Sequence, residues 1–393
     1  LNKATVTDYP LDGARVLVRV DFNVPLAEGV VADDTRIRRA LPTIELLTRR
    51  GCRVILVSHL GRPKGQVVDS LRLDPVAGRL SELLGRPVRK VGDCVGAEVE
   101  AEVAALAPGD VLLLENVRFH EEETANDAGF ARRLASLADV FVNDAFGTAH
   151  RAHASTTGVA AELPAVAGLL MAEELTMLER LVVSPARPYV VVLGGAKVSD
   201  KVGVVRRMLG LADSVLVGGA MCFAFLQARG LEVGRSKVEE GAADVARELL
   251  DEAVSLGGEL VLPADIVVAA GPDDVDGAQM VPAAAIPPEL MGLDIGEQTR
   301  EQFVARIQRA GTVFWNGPLG LFEVSRFGEG TRVVATAMAG SRGTTVVGGG
   351  DTISALAACG LTDAVTYVST GGGAALEFLE GKELPGVAAL ADR

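Results

Sequence analysis

The chain is predicted to be an α/β protein of two domains, each built on a parallel sheet with helices on both faces. Three observations carry this. Strand-like apolar runs alternate with helical patterns from end to end, the order expected of repeated βαβ units. The runs are almost continuously aliphatic, as strands covered on both faces are; aromatic residues make up only 4% of the chain and leave the cores to Val, Leu, Ile and Ala. The length of 393 residues exceeds what one hydrophobic core usually supports.

The first-half strands are Arg15–Val20, Arg53–Val57, Val111–Leu114 and Val140–Val142. They run into Asp21-Phe22-Asn23, Ser58-His59-Leu60-Gly61-Arg62, Glu115-Asn116-Val117-Arg118 and Asn143-Asp144-Ala145. The second-half runs end in glycine instead. Tyr189–Leu193, Ser214–Val217 and Thr344–Val347 lead into Gly194-Gly195-Ala196-Lys197, Gly218-Gly219 and Gly348-Gly349-Gly350-Asp351. Further strands are expected near Glu259–Leu262, Thr312–Trp315 and Thr366–Val368. Apolar spacing marks helices over Arg36–Arg50, Pro75–Leu84, Asp127–Leu137, Lys201–Leu211 and Glu239–Leu256. Met171–Val183, between Leu163-Pro164 and Ser184-Pro185, reads as a helix joining the domains, because charge and motif pattern change there. The domains are then residues 1–170 and 184–379, with 171–183 as the connecting helix. Residues 269–296, with Gly271-Pro272-Asp273-Asp274 and Pro287-Pro288, read as loop-rich.

Composition narrows the partners. The net charge of −14 argues against nonspecific nucleic-acid binding. It is uneven: 20 Lys and Arg face 23 Asp and Glu in residues 1–170, and 18 face 29 after them. All four histidines also lie in the first half, so a basic cluster for a small anion fits only there. No apolar run approaches the ~18 residues of a membrane span. The N-terminus lacks a basic-then-apolar signal pattern, so the cytoplasm is the default, and the leading Leu implies an initiator Met absent or removed. Cys52, Cys94, Cys222 and Cys359 are scattered, which argues against a zinc site or disulfide scaffold and for reduced, mostly buried thiols.

Open parallel sheets bind ligands beyond the carboxyl ends of their strands, and the two sets of strand ends read as two half-sites. In the first, Arg36, Arg62, Arg118 and Arg151 offer bidentate recognition of carboxylate or phosphate. His59, His150 and His153 share those loops, and Asp21 and Asn23 add groups suited to hydroxyls. The histidine spacings match no standard zinc pattern, which favours oxyanion recognition over a metal. In the second, Gly348-Gly349-Gly350-Asp351-Thr352 precedes a helix start, where backbone N–H groups meet phosphate oxygens. Asp351 there suits either Mg²⁺ or an N-cap. Ser369-Thr370-Gly371-Gly372-Gly373 repeats the geometry, as a second anion-facing helix start or as a tight turn. Lys197 and Lys201, four apart at an expected helix start, share a face and both reach phosphates, with a Schiff-base lysine as the chemical alternative. There is no P-loop and no dinucleotide fingerprint, which counts against a nicotinamide-dependent dehydrogenase. A non-catalytic nucleotide-binding protein is the other competitor, and Lys197, Asp351 and Arg36 count against it.

With these residues in place the chain resembles the phosphoglycerate kinase family. The resemblance rests on RVLVRVDFNVPL (15–26), SHLGRP (58–63), LLLENVRFH (112–120), NDAFGTAHRAHAS (143–155), LGGAKVSDK (193–201), WNGPLGLFE (315–323), GGGDT (348–352) and STGGGA (369–374), in the family's order across the whole chain. It implies two Rossmann-like three-layer domains joined by a hinge helix, with a tail of about 380–393 returning to the first. It also implies reversible, Mg²⁺-dependent phosphoryl transfer between 1,3-bisphosphoglycerate and ADP in a cytoplasmic monomer, with domain closure. Carried over residue by residue, Asp21, Phe22, Asn23, Arg36, His59, Leu60, Gly61, Arg62, Arg118 and Arg151 hold the phosphoglycerate. Lys201, Gly292, Asn316, Glu323, Gly349, Gly350, Asp351 and Thr352 hold ADP or ATP, with Glu323 on the ribose and Asp351 on Mg²⁺. Arg36, Lys197 and the N–H groups near Gly371 and Gly372 stabilise the moving phosphoryl group.

Overall fold

A computed structural model describes residues Asn2–Arg393. The chain forms two units, one of residues up to Thr176 together with Glu383–Arg393, the other Met177–Lys382. The helix Leu169–Val183 contains the point where one gives way to the other.

The first unit is a six-stranded parallel sheet. Its spatial order is Arg89–Lys90, Val111–Leu113, Arg53–Val57, Arg15–Arg19, Val140–Asn143, Ala165–Ala167. The central strands bury residues on both faces, as a sheet between helical layers must. Val16, Val18 and Leu56 pack with Ile44 and Leu47 of the helix Thr35–Arg49 and Val76 and Leu80 of the helix Asp74–Leu84. The last eleven residues close this unit. Ala391 donates to the Ala165 carbonyl at 2.9 Å, and Gly386 exchanges hydrogen bonds with the Ala149 carbonyl at 2.8 Å and the Asn143 side chain at 3.2 Å.

The second unit carries another six-stranded parallel sheet, ordered Glu259–Val261, Ser214–Val217, Tyr189–Leu193, Thr312–Asn316, Thr344–Gly348, Tyr367–Ser369. Chain order reverses between Tyr189–Leu193 and Thr312–Asn316, so the crevice beyond these two strands is the topological switch point. All five residues of each are buried. Trp315, the only tryptophan, packs with Phe303 and Ile307 of the helix Glu297–Arg309 and with Val334 and Met338 of the helix Glu329–Ala339.

Residues 269–296 are loop-rich as read, but they carry two strands that the sequence did not announce. Asp265–Ala269 pairs antiparallel with Gln279–Pro282 on one side and Met291–Ile295 on the other, with a bulge at Val267/Val268. The apolar pattern is masked because the Gln279–Pro282 edge is mostly exposed and Met291–Ile295 carries a glycine and an aspartate. Sequence reasoning also passed over the strand Ala165–Ala167 and the helix Ala97–Ala104. Cys52, Cys94 and Cys222 are buried thiols and Cys359 is half-buried. Among the described residues no helix is long and apolar enough to cross a membrane.

Phe303 is fully buried against the core that holds Trp315. Phe303→Ala is expected to cost this unit about 3–5 kcal/mol. The Trp315 fluorescence transition in urea should move to clearly lower denaturant; an unmoved midpoint would contradict this packing.

Candidate active site

In the first unit, hydrogen bonds between loops gather the strand ends. The Phe22 N–H donates to the buried Ser58 hydroxyl at 2.9 Å, and the Gly61 N–H to the Asn23 side-chain oxygen at 2.9 Å. Asn116 accepts from the N–H groups of Leu60 and Arg118 and donates to the Leu60 carbonyl at 2.7 Å. Arg118 donates to the Gly61 carbonyl at 2.9 Å. Asp21, Phe22, Asn23, Leu60, Gly61 and Arg118 are thereby brought together.

Arg36 stands in the first turn of its helix, where a cation opposes the helix dipole. Asp21 compensates at 2.9 Å, and the Asn23 carbonyl accepts at 3.2 Å. His59 is nearly fully buried, and its pKa lies well below the usual range through burial, then through the charges of Arg19, Arg118, Arg36 and His153. It is neutral at physiological pH. Its Nδ1 lies 3.1 Å from Arg19 Nη2. A guanidinium has no acceptor, so Nδ1 accepts and the proton belongs on Nε2. Arg118 is pushed down to about 10, first by burial and then by Arg19 and Arg151. Arg36, His59, Arg118 and Arg151 therefore share one electrostatic neighbourhood. Arg62, next to Gly61, is exposed and extends it outward.

Sequence reasoning missed the support of this array. Arg19, the last residue of its strand, is completely buried. Its Nε donates to the Ser155 hydroxyl at 2.8 Å, and that hydroxyl donates to Glu123 at 2.7 Å. Ser155 sits in a π-helical turn, Ala154–Gly158, and His153 Nδ1 lies 3.6 Å from Glu123. Arg19 and Ser155 were inside the quoted motifs but looked like strand and loop filler. Only an arginine within an otherwise aliphatic strand could have flagged the buried charge.

In the second unit a cleft of about 370 Å³ opens at the switch point. Gly292, Glu323 and Asp351 line it, as do Gly195, Gly219, Phe223, Lys237 and Asp294, none of which had been assigned. Two glycines are steric necessities. A Cβ on Gly194 would sit 2.1 Å from the Pro318 carbonyl oxygen, and one on Gly292 would lie 2.1 Å from the Phe223 ring. Beside this wall Lys201, Asn316 and Thr352 are buried and tied together. Lys201 donates to the carbonyls of Gly194 at 2.5 Å and Asn316 at 2.9 Å. Asn316 donates to Gly348 at 2.9 Å, and Gly317 donates to the Thr352 hydroxyl at 2.7 Å. Burial pushes the Lys201 pKa down to about 8. Asp294 is raised to about 7, also by burial, while it caps the N–H groups of Ile295 and Gly330.

Two expectations change. Lys197 and Lys201 do not share a helix face, because the helix begins only at Val202. Lys201 turns inward, whereas Lys197 is exposed and lies 3.6 Å from Glu239. Asp351 is not an N-cap: Gly349 holds that place, without a side-chain cap, before the helix Gly350–Ala358. The carboxylate stays exposed on the cleft wall. At the second glycine turn, Gly372 precedes the helix Gly373–Glu380, and the Gly371 N–H donates to Ser369 at 3.2 Å. Lys197, Gly371 and Gly372 are not part of the cleft wall.

The pairing of an arginine array with a glycine-lined switch-point cleft has close parallels. The family model for phosphoglycerate kinase matches residues 6–382. The chain is 56% identical over 391 residues to a phosphoglycerate kinase from Pelotomaculum thermopropionicum and 55% identical over 391 residues to one from Moorella thermoacetica, each match covering all of both chains. Its structure resembles that of phosphoglycerate kinase from Coxiella burnetii, with a TM-score of 0.89 at 40% identity over 98% of each chain. The Pyrococcus horikoshii enzyme gives 0.86 at 34% identity, again over 98% of each. With the match spanning both units, the chain belongs to the phosphoglycerate kinase family.

Proposed function

We propose that the first unit's strand ends hold 3-phosphoglycerate or 1,3-bisphosphoglycerate and that the second unit's cleft holds ADP or ATP. The protein is a phosphotransferase with a carboxyl group as acceptor, and its reaction is the reversible transfer that interconverts 1,3-bisphosphoglycerate and ADP with 3-phosphoglycerate and ATP. The observation that carries the assignment of halves is the cluster of Arg36, Arg118 and Arg151 about an uncharged His59. Arginine forks match the carboxylate and phosphate of a phosphoglycerate. Asp21 and Asn23 suit its hydroxyl, and Arg62 the outer anionic end. In the second unit Gly349, Gly350 and Thr352 lie at an uncapped helix start, a natural seat for phosphates. Glu323 suits the ribose hydroxyls, and Gly292 leaves room for the base.

Asp351 fits Mg²⁺: it is an exposed hard-oxygen donor on the cleft wall, and Mg²⁺ takes one or two carboxylates beside phosphate oxygens. Bound there, the ion would neutralise phosphate charge. The acceptor oxygen on ADP is already anionic, so no general base is required, and the absence of histidine from the second half agrees with that. The remaining barrier is in-line alignment and charge neutralisation. Arg36, Lys197 and the helix start at Gly372 supply cationic and dipolar groups. The loose pairing of Lys197 with Glu239 leaves that ammonium available to the phosphoryl group. We read the enzyme as a cytoplasmic monomer acting on free metabolites.

Hydroxylamine trapping tests the whole reading. Mg·ATP and 3-phosphoglycerate together should yield hydroxamate, and omitting either substrate or Mg²⁺ should abolish it. No product despite ATP binding would overturn the assigned reaction.

Lys197→Ala is expected to lower kcat roughly 100- to 1000-fold while leaving nucleotide affinity nearly unchanged. A preserved kcat would remove Lys197 from the transfer step.

Lys201 gives a pH dependence. With its pKa at about 8, the ammonium is present below that pH and lost above it. ADP affinity measured by calorimetry should weaken between pH of about 7.5 and 9.5, where phosphate ionisation no longer changes. Lys201→Met should flatten the profile. Equal affinity at both pH values in the unaltered enzyme would show that this charge does not act on the nucleotide.

A further inference from the structure

We propose that Asp93, Cys94 and His120 form a binding site for a thiophilic divalent cation, with Zn²⁺ the best match. The sequence spacing hides the site, because the fold brings the Asp93-Cys94 pair against a histidine 26 positions later in the chain. One carboxylate oxygen, the thiol sulfur and a ring nitrogen all lie within 4.8 Å of one another. His120 Nε2 is 2.7 Å from Asp93 Oδ1, and the Cys94 backbone N–H donates to the same oxygen at 2.6 Å, which sets the thiol beside the carboxylate. Asp93 is thus the hub of a sulfur, nitrogen and oxygen set. Zn²⁺ takes such a set in a tetrahedron, with sulfur at about 2.3 Å and nitrogen or oxygen at about 2.0–2.2 Å. Ligand atoms on that tetrahedron stand roughly 3.3–3.7 Å apart. The present arrangement therefore needs only small side-chain adjustments.

The surroundings favour a cation. The charges that act most strongly on the Cys94 thiol are carboxylates, those of Asp93 and Glu123. Together with burial they raise its pKa, and the same negative field attracts a dication. His120 is oriented by stacking on Phe130, with ring centroids 5.1 Å apart at 30°. The Asp93 side chain is 54% exposed, which opens a path for the ion and for water as a fourth ligand. Binding releases the thiol proton to solvent as the metal–sulfur bond forms, and the imidazole proton that Nε2 donates to Asp93 passes through solvent to Nδ1, freeing the Nε2 lone pair for the ion. The site is separate from Asp351 in the other unit and differs in kind, since Mg²⁺ avoids thiolate.

Co²⁺ titration of the whole chain without nucleotide tests the proposal. One equivalent should produce a thiolate-to-cobalt charge-transfer band with intense tetrahedral ligand-field bands, and Zn²⁺ should displace them. Cys94→Ser should abolish the charge-transfer band, whereas Cys359→Ser should leave it. His120→Gln and Asp93→Asn should each weaken Co²⁺ affinity about tenfold or more. Absence of the band at saturating Co²⁺, its survival in Cys94→Ser, or unchanged affinity in both other variants would overturn the site. The last comparison stands even if Cys94→Ser fails to fold.

Discussion

Burying a guanidinium without neutralising it is prohibitive, and the first unit buries one completely at the tip of its central strand. Arg19 survives there because Ser155 and the Val20 carbonyl accept its protons, His59 accepts another, and Glu123 supplies the counter-charge. Burial alone would push the Glu123 carboxyl upward. His153, Arg19 and the two hydrogen bonds from Ser155 reverse that and hold it below the usual range. The network draws on the strand Arg15–Arg19, the loop after Arg53–Val57, the short helix Glu121–Thr124 and the π-turn Ala154–Gly158. It thus fixes where the loops carrying Arg118, Arg151 and His59 sit. It also fixes the His59 tautomer, which no local sequence feature could.

The second unit is built by different means. Its strands end in glycine because backbone must lie against backbone there: Gly195 donates to the Pro318 carbonyl at 2.8 Å and Gly194 to Asn316 at 3.0 Å. A single ammonium, Lys201, is clamped on two of these carbonyls rather than set at the surface. Under the proposed assignment, arginine forks suit the shape of a compact acid, whereas glycine turns and helix starts suit a chain of phosphates. On that proposal the contrast in strand-end chemistry follows a contrast in ligand geometry.

Much of this was legible in the sequence. Strands such as Arg53–Val57, Tyr189–Leu193 and Ser214–Val217 agree residue for residue, because β-branched runs bounded by turn residues leave little choice. Helices agree to within a few residues at their ends, as for Ala242–Leu256 against the expected start at Glu239. The antiparallel sheet around Asp265–Ala269 was not legible, since its partners are short, one is mostly exposed and the other is interrupted by Gly292 and Asp294. The placement of candidate residues was legible where they follow a strand end, as with Asp351 on the cleft wall, or open a helix, as with Arg36. It was opaque where function depends on direction: Lys197 and Lys201 look equivalent in the chain, and only the turn before Val202 sends one inward and the other to Glu239. Asp294 and Lys237 carried no pattern at all, because nothing in their neighbours announces a cleft.

Crowding cations has an energetic consequence. Arg118 is held down to about 10 partly because Arg19 and Arg151 repel it, and His59 is denied a proton partly by the same charges. Asp21 and Glu123 offset part of this repulsion at Arg118 while also pairing with Arg36 and acting on Arg19, and burial together with the neighbouring arginines still leaves Arg118 lowered. An arriving anion relieves that repulsion in addition to making its own hydrogen bonds. The relief grows with ligand charge, so a doubly anionic end is favoured over a singly anionic or neutral analogue of the same shape. A neutral histidine at the centre serves this better than a protonated one. In the proposed site it can donate from Nε2 without adding to the charge that the arginines already share, and that donor is not altered between pH of about 6 and 8, where an ordinary histidine would titrate.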